Sequence, residues 1–446
     1  MKRRIFSLAM AIIMALSLLP TTAFASVLGG GNVDGTTLAD DMGGAAQTIF
    51  KTVLQSAAFE TSAGLKIGTG DGTTTISGVN WKDEWFLSES LFYNHELART
   101  AMALSAAAYV GANNMKSAYN AFGFDTRDSR FFAEYPVATK EDNDVVGHSF
   151  AIKEIYDPTI EDSRPLVVIT VRGTPGNEEW YSNFNLGTEQ YHDGFFTAEA
   201  KVLDNLNEYI EKMEELGYDM DSAKYLVTGH SRGAAVANIL AASLTENSCA
   251  AQGDVFGYTF AAPAVAAYAS ENGYENIFNI VNPEDFVTQM PLGEGKWGYK
   301  RFGIDLVLPS RSYYAGYDNV YSKMALAYKD IIGKDFVPYQ DGVQPVSKLT
   351  ESIYNLDPTV NDFYTKKYPA LYGDLITRFT CYEYFNMLAD IIVTGNVNMK
   401  FVETVSHGAF DDITWFFISN YAIDNKVFSA HSQVAYLSWL RSCPAW

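Results

Sequence analysis

The chain has 446 residues, of which 48% are hydrophobic and 14% aromatic, and its formal net charge is −21. This composition supplies enough apolar side chains for a large core and excludes a chain that is disordered overall. The negative charge disfavours binding to nucleic acid or to anionic membranes. Three cysteines are too few for a disulfide scaffold, and the common zinc and P-loop motifs are missing from the sequence, so we expect no metal and no cofactor.

The N-terminus has the three parts of a secretory signal peptide. Basic residues at 2–4 precede an apolar run at 5–19, and small residues occupy the −3 and −1 positions of a cut after Ala25. An apolar run of about 15 residues is short for a membrane span, so the pattern favours export over anchoring. We expect a secreted protein that begins at Ser26, with a net charge that changes from −21 to −24 because three basic residues are removed.

The rest of the chain divides into four predicted segments. Residues 26–80 are rich in Gly, Thr and Asp and predict a flexible N-terminal extension. Residues 81–310 alternate strand and helix patterns and predict one α/β core. Residues 311–400 are tyrosine-rich and predict a helical insertion that caps the catalytic loops; a helical subdomain on the far side of the sheet is the alternative. Residues 401–446 are predicted to be a C-terminal segment, which contains His407 and His431.

Within the core, the predicted elements alternate in the manner of a doubly covered sheet. Helical patterns begin near Asn94 and Phe195. Residues 145–156 alternate as a strand does, and short apolar strand patterns occur at 166–171, 225–227, 255–260 and 277–281. This alternation predicts a mainly parallel sheet covered by helices on both faces, with active-site loops at the carboxyl ends of its strands.

The most informative motif is Gly229-His230-Ser231-Arg232-Gly233. A short apolar strand precedes it and an alanine-rich helix follows, which is the context of a nucleophile elbow. Glycines are needed on either side because the serine sits on a sharp turn where strand and helix approach closely. The motif therefore predicts that Ser231 is a nucleophile. A glycine-containing loop that matches by chance is the alternative, and the flanking pattern disfavours it.

A serine hydrolase also needs an acid and a base, and in the α/β-hydrolase order both follow the serine. Asp285 is the preferred acid because it follows a predicted strand and precedes the apolar Phe286, which can anchor its loop; Glu284 is the rival. Two of the six histidines lie downstream, His407 and His431. We prefer His431 as the base because it opens a helical pattern that can hold it, and His407 is the alternative.

These motifs together resemble those of the class 3 lipase family, the fungal-type triacylglycerol lipases of the α/β-hydrolase fold. The similar segments are Val171–Thr174, His192–Phe195, Gly229–Gly233, Tyr258–Pro263 and Asn282–Val287. The resemblance covers residues 95–300 well and the last 20 residues weakly.

The resemblance implies a role for five residues. Ser231 would be the nucleophile, Asp285 the orienting acid and His431 the base. Thr174 and the main-chain N–H of Arg232 would form the oxyanion hole. Arg232 replaces the leucine that is common in the family, and a guanidinium beside the site could alter the choice of substrate.

We therefore expect a secreted serine hydrolase that cleaves carboxylic esters, of lipids in particular, through an acyl-serine intermediate. A catalytically inert lipase-like binding or scaffold protein and an acyltransferase on the same fold are the alternatives. The expected partners are the ester substrate and, transiently, a neutral lipid interface. Neither nucleic acid nor an obligate protein partner is expected.

Overall fold

The computed structural model describes residues 59–131, 144–158, 160–175, 180–183, 185–186, 190–246, 251–291, 298–311, 314–337 and 429–444. The chain divides into two compact units, residues 1–59 with 155–163, and residues 60–154 with 164–446. In the described part of the first unit, the N–H of Ile160 donates to the carbonyl of Asp157 across a turn, at 3.3 Å. The second unit carries the predicted site residues.

The described secondary structure has the following bounds. The strands are β1 (Glu60–Gly68), β2 (Thr73–Lys82), β3 (Asp125–Phe131), β4 (His148–Asp157), β5 (Asp162–Val171), β6 (Lys224–His230), β7 (Val255–Phe260), β8 (Ile277–Val281) and β9 (Ile304–Val307). The helices are α1 (His95–Ala108), α2 (Ala112–Ala121), α3 (Trp180–Asn183), α4 (Asp193–Glu215), α5 (Arg232–Glu246), α6 (Tyr317–Ile332) and α7 (Gln433–Ser442). No described helix is both long and apolar enough to cross a bilayer.

Seven strands form one sheet in the order β3-β4-β5-β6-β7-β8-β9. Strands β3 and β4 are antiparallel, whereas β5 to β9 all run parallel. The carboxyl ends of β5, β6 and β8 therefore meet at one edge of the sheet. Ser231 follows β6 directly, and Asp285 lies in the loop after β8. This edge is where a parallel sheet places its catalytic loops.

Helices cover the two faces of the central strand β6, and every residue of that strand is buried. Because side chains alternate along a strand, Val227 and Thr228 point to opposite faces. Val227 belongs to the apolar core that includes Val236 and Leu240 of α5. On the other face, the Thr228 hydroxyl lies 3.0 Å from the Ser105 hydroxyl of α1. The predicted mainly parallel sheet, covered on both faces, is confirmed.

The prediction of a flexible extension at 26–80 is wrong for its last 21 residues, which form β1 and most of β2. These strands pair as an antiparallel sheet, and β1 packs against α1. The apolar side chains of these two strands are buried: Leu65, Ile67, Ile76 and Val79. Apolar residues alternate with Gly, Ser and Thr here, and that period-two pattern is what a half-buried strand needs.

Only the beginning of the predicted insertion at 311–400 falls within the described residues. There, α6 packs against α7 and also contacts β2. Residues 338–400 lie outside the described part, as do the predicted signal peptide and His407. A cap over the site by the remaining residues stays a prediction.

Candidate active site

The elbow has the strained backbone that its motif predicts. Ser231 has a φ of 60°, a left-handed conformation that is uncommon for a residue with a Cβ. A Cβ on Gly229 would lie 2.3 Å from the carbonyl oxygen of Gly233, and a Cβ on Gly233 would lie 2.5 Å from that of Val171. Both glycines are therefore required for β6, α5 and the end of β5 to approach this closely.

The structure brings Ser231, His431 and Asp285 into one hydrogen-bonded chain. His431 Nε2 lies 2.8 Å from Ser231 Oγ, and His431 Nδ1 lies 2.8 Å from Asp285 Oδ2. Since a carboxylate accepts, Nδ1 carries the proton, which leaves Nε2 free to accept the serine proton. The rival acid Glu284 is turned elsewhere and accepts a hydrogen bond from Tyr317.

The Asp285 carboxylate is fully buried and is surrounded by donors. Besides His431, the Tyr436 hydroxyl donates to Oδ2 at 2.9 Å and the N–H of Val287 donates to Oδ1 at 3.0 Å. Burial, followed by the charge of Asp285, raises the pKa of Tyr436 well above its usual value, so its hydroxyl stays protonated and can donate. The Tyr436 oxygen in turn accepts from the N–H of Asn282, at 3.0 Å.

The sequence predicts that Tyr436 lies on a helix, but its hydrogen bond to Asp285 was not predicted. The signal was its position five residues after the candidate histidine, on a helix that begins at Gln433. One helical turn brings its side chain back over the loop before the helix.

His230 holds the loop that carries His431. Its Nε2 lies 2.8 Å from the His431 carbonyl oxygen, so Nε2 bears the proton and donates. Its Nδ1 then accepts from the Tyr109 hydroxyl, at 2.9 Å. Burial lowers the pKa of His230 well below its usual value, which keeps the ring neutral and this pattern intact. The interaction was not predicted, because His230 and His431 are far apart in the sequence.

The predicted oxyanion donors follow the carboxyl ends of β6 and β5, at the same edge of the sheet. Arg232 is the first residue of α5, and N–H groups in the first turn of a helix have no partner within the helix, so they can bind an anion. Thr174 follows the end of β5, and its hydroxyl accepts from the Asn183 amide at 3.1 Å. Their role as oxyanion donors stays a prediction.

The Arg232 side chain is not open to a substrate, so the expectation that it alters substrate choice is wrong. It is 1% exposed. Its guanidinium donates to the Val145 carbonyl and to the Ser182 hydroxyl, both at 2.7 Å. The guanidinium therefore links α5 to α3 and to the segment before β4.

Among the residues that the structure describes, no group of three or more His, Cys, Asp or Glu side chains is placed to hold a metal ion.

Buried neutral histidines predict a loss of stability in acid. Burial lowers the pKa of His148 to about 4 and that of His192 to about 3, below the value of about 6.5 for an unfolded chain. Between these values the unfolded chain binds more protons than the folded chain does. The stabilisation that comes from the neutral histidines is therefore full above about pH 6.5, and it is lost as the pH falls towards about 4. Each histidine lowers the unfolding free energy by up to about 1.4 kcal/mol per pH unit. Denaturant titrations at several pH values measure the slope.

The control for this prediction is His148→Gln, which keeps a donor for the Val146 carbonyl but does not titrate. The variant is expected to lose less stability between pH 6.5 and pH 4 than the wild type. Equal slopes would contradict the assignment to His148.

Comparison with known proteins identifies the region that carries the elbow and the acid. Residues 168–294 match the family model described as lipase (class 3). The resemblance to the class 3 lipases is confirmed. The matched region, residues 168–294, includes Thr174, Ser231 and Asp285, and it ends before His431. With its parallel sheet and its elbow after β6, the chain has the α/β-hydrolase fold.

Individual relatives each match only part of the chain. A secreted mono- and diacylglycerol lipase from Fusarium solani is 31% identical over 114 residues, which are 24% of this chain and 32% of that protein. The chain therefore spans about a third of the length of this relative. A Rhizomucor miehei lipase–propeptide complex is 19% identical, with a TM-score of 0.33, and the match covers 49% of this chain and 68% of that one. Lip2 lipase from Yarrowia lipolytica is 16% identical, with a TM-score of 0.31, and the match covers 48% and 79%.

Proposed function

We propose that this protein is a secreted serine hydrolase that cleaves carboxylic ester bonds of lipids. The observation that carries the proposal is the chain of two 2.8 Å hydrogen bonds from Ser231 through His431 to Asp285. Three groups in this order activate a hydroxyl as a nucleophile at neutral pH. The match of residues 168–294 to the class 3 lipase model supports an ester as the substrate.

The first half of the reaction acylates Ser231. Its oxygen attacks the ester carbonyl carbon while His431 Nε2 takes the serine proton. Asp285 stabilises the imidazolium that forms and holds its orientation. The N–H of Arg232 and the Thr174 hydroxyl stabilise the oxyanion. The tetrahedral intermediate then collapses, the bond to the alcohol breaks, and His431 gives its proton to the departing alkoxide.

The second half transfers the acyl group to water. His431 removes a proton from water, whose oxygen attacks the acyl-serine carbonyl, and the same donors stabilise the second oxyanion. Collapse releases a fatty acid and returns the proton to Ser231. Every step uses side chains and main-chain groups of the protein, so the proposed reaction needs neither metal nor cofactor.

Acylglycerols are the substrates to test first, since the Fusarium relative is named for mono- and diacylglycerols. The experiment measures fatty acid released from monoacyl-, diacyl- and triacylglycerol emulsions by the protein, with Ser231→Ala as the background. We expect release above background for at least one acylglycerol. Release no faster than background on all three emulsions and on p-nitrophenyl butyrate would overturn the proposal.

We infer that residues 1–25 are removed when the protein is exported. We expect cleavage after Ala25, because Ala23 and Ala25 supply the small side chains that signal peptidases bind at −3 and −1. N-terminal sequencing of protein from the culture medium should therefore begin at Ser26. An Ala25→Leu variant should remain cell-associated as the precursor. Secreted protein that still begins at Met1 would contradict the cleavage.

A further inference from the structure

Helix α6 contacts the loop that carries the candidate acid. At its first residue, the Tyr317 hydroxyl donates to Oε1 of Glu284, at 3.1 Å. Glu284 is the residue before Asp285, and Tyr317 is only 5% exposed. The Arg311 guanidinium lies 5.4 Å from the centre of the Tyr317 ring, on the same side of the helix start. A hydrogen bond to a half-buried carboxylate is stronger than one to a neutral acceptor in water.

The same helix contacts the element that carries the candidate base. The rings of Tyr317 and Tyr321 lie 6.1 Å and 6.2 Å from the ring of Trp439, which is buried in α7. Further along the chain, contact continues, because α6 packs against α7 as a whole. One helix therefore contacts both the acid loop, at Glu284, and the helix that follows His431, at Trp439.

The acid and the base reach the site from distant parts of the chain. Asp285 follows β8, whereas His431 precedes α7, and residues 286–430 join them. Their 2.8 Å contact must therefore be kept by packing rather than by local sequence. The Asn282 amide donates to the Ala430 carbonyl at 3.3 Å, and this is a direct link between the loops. Small errors in such a contact reduce rates strongly, since a displacement of about 1 Å can cost about 100-fold.

We propose that α6 is a brace that fixes the acid loop relative to the base helix, and that Tyr317 is a positioning residue for the reaction. Tyr317 joins Glu284 of the acid loop, through its hydroxyl, to Trp439 of the base helix, through its ring. The proposal rests on the proposed function, because a rate can be lost only from an enzyme.

The test removes one oxygen atom. Tyr317→Phe keeps the ring on Trp439 and loses the donor to Glu284. We expect kcat for an ester substrate to fall about three- to tenfold, the effect of one hydrogen bond, while KM changes less than about twofold. Tyr321→Phe is the matched control. Tyr321 lies one helical turn after Tyr317, its ring also lies near Trp439, and the variant likewise loses one hydroxyl. It is expected to keep the wild-type kcat.

Substitutions of Glu284 distinguish a positioning role of Tyr317 from a general loss of protein stability. Glu284→Gln retains an acceptor for the Tyr317 hydroxyl and is expected to keep at least half of the wild-type kcat. Glu284→Ala is expected to match Tyr317→Phe, and the double variant Tyr317→Phe/Glu284→Ala should be no slower than either single variant. Equal kcat values for Tyr317→Phe and Tyr321→Phe would overturn the brace, as would multiplicative losses in the double variant.

A measurement without turnover keeps this test distinct from that of the proposed function. Wild-type protein that hydrolyses no ester would end the proposed function. The brace would then be decided by amide hydrogen exchange of peptides 282–291 and 429–442. Faster exchange of both peptides in Tyr317→Phe than in Tyr321→Phe supports the brace, and equal exchange overturns it.

Discussion

Ser231→Ala is expected to lower kcat/KM for ester hydrolysis by about 10⁴- to 10⁶-fold, because triad residues act as a unit and the nucleophile has no substitute. The oxygen that would form the acyl-enzyme lies 2.8 Å from His431 Nε2 in the wild type. Alanine accepts the φ of 60° at this elbow about as well as serine, so the variant is expected to fold. Rates on p-nitrophenyl butyrate, with far-ultraviolet circular dichroism of the same samples, measure both effects.

The control for this variant is Ser322→Ala on α6. Its hydroxyl is exposed and donates to the Asp318 carbonyl within the same helix, at 2.7 Å. It should hydrolyse ester at the wild-type rate. A folded Ser231→Ala protein that retains full activity would end the serine-hydrolase proposal.

His431→Ala is the second variant with a large expected effect. It removes the group that takes the serine proton and leaves Ser231 as an ordinary alcohol, so a loss of about 10⁴- to 10⁶-fold in kcat is expected. Asp285 keeps its hydrogen bonds from Tyr436 and Val287 in this variant, so the acid loop is expected to remain folded. The measurement is kcat for p-nitrophenyl butyrate.

His407→Ala is the comparison that decides between the two histidines. It is expected to change kcat by less than about threefold, since His431 is the histidine that contacts Ser231. A large loss for His407→Ala, with little effect of His431→Ala, would move the base to His407.

The features that the sequence predicted correctly are those with local rules. The elbow follows from glycines two residues before and two after Ser231, because Gly229 and Gly233 meet across one turn. The order of the core elements follows from hydrophobic periodicity, since strands buried on both faces are continuously apolar. Asp285 was expected at the carboxyl edge of the sheet because it comes shortly after a buried strand in the sequence.

The features that were missed depend on contacts between distant residues. The hydrogen bond from His230 to the His431 carbonyl and the one from Tyr317 to Glu284 join positions that no local pattern connects. The hairpin of β1 and β2 was missed for another reason. Its Gly, Ser and Thr residues are also typical of loops, and its apolar positions become informative only when α1 covers them.

The proposed function depends most on whether Ser231 is activated by His431 in the folded protein. Labelling with a fluorophosphonate tests this most directly, because the probe reacts with activated serines whatever the natural substrate. We expect one label per chain, mapped to Ser231 by mass spectrometry of the peptides, and none in Ser231→Ala or His431→Ala. Folded wild-type protein that takes no label, or takes it at another residue, would contradict the account.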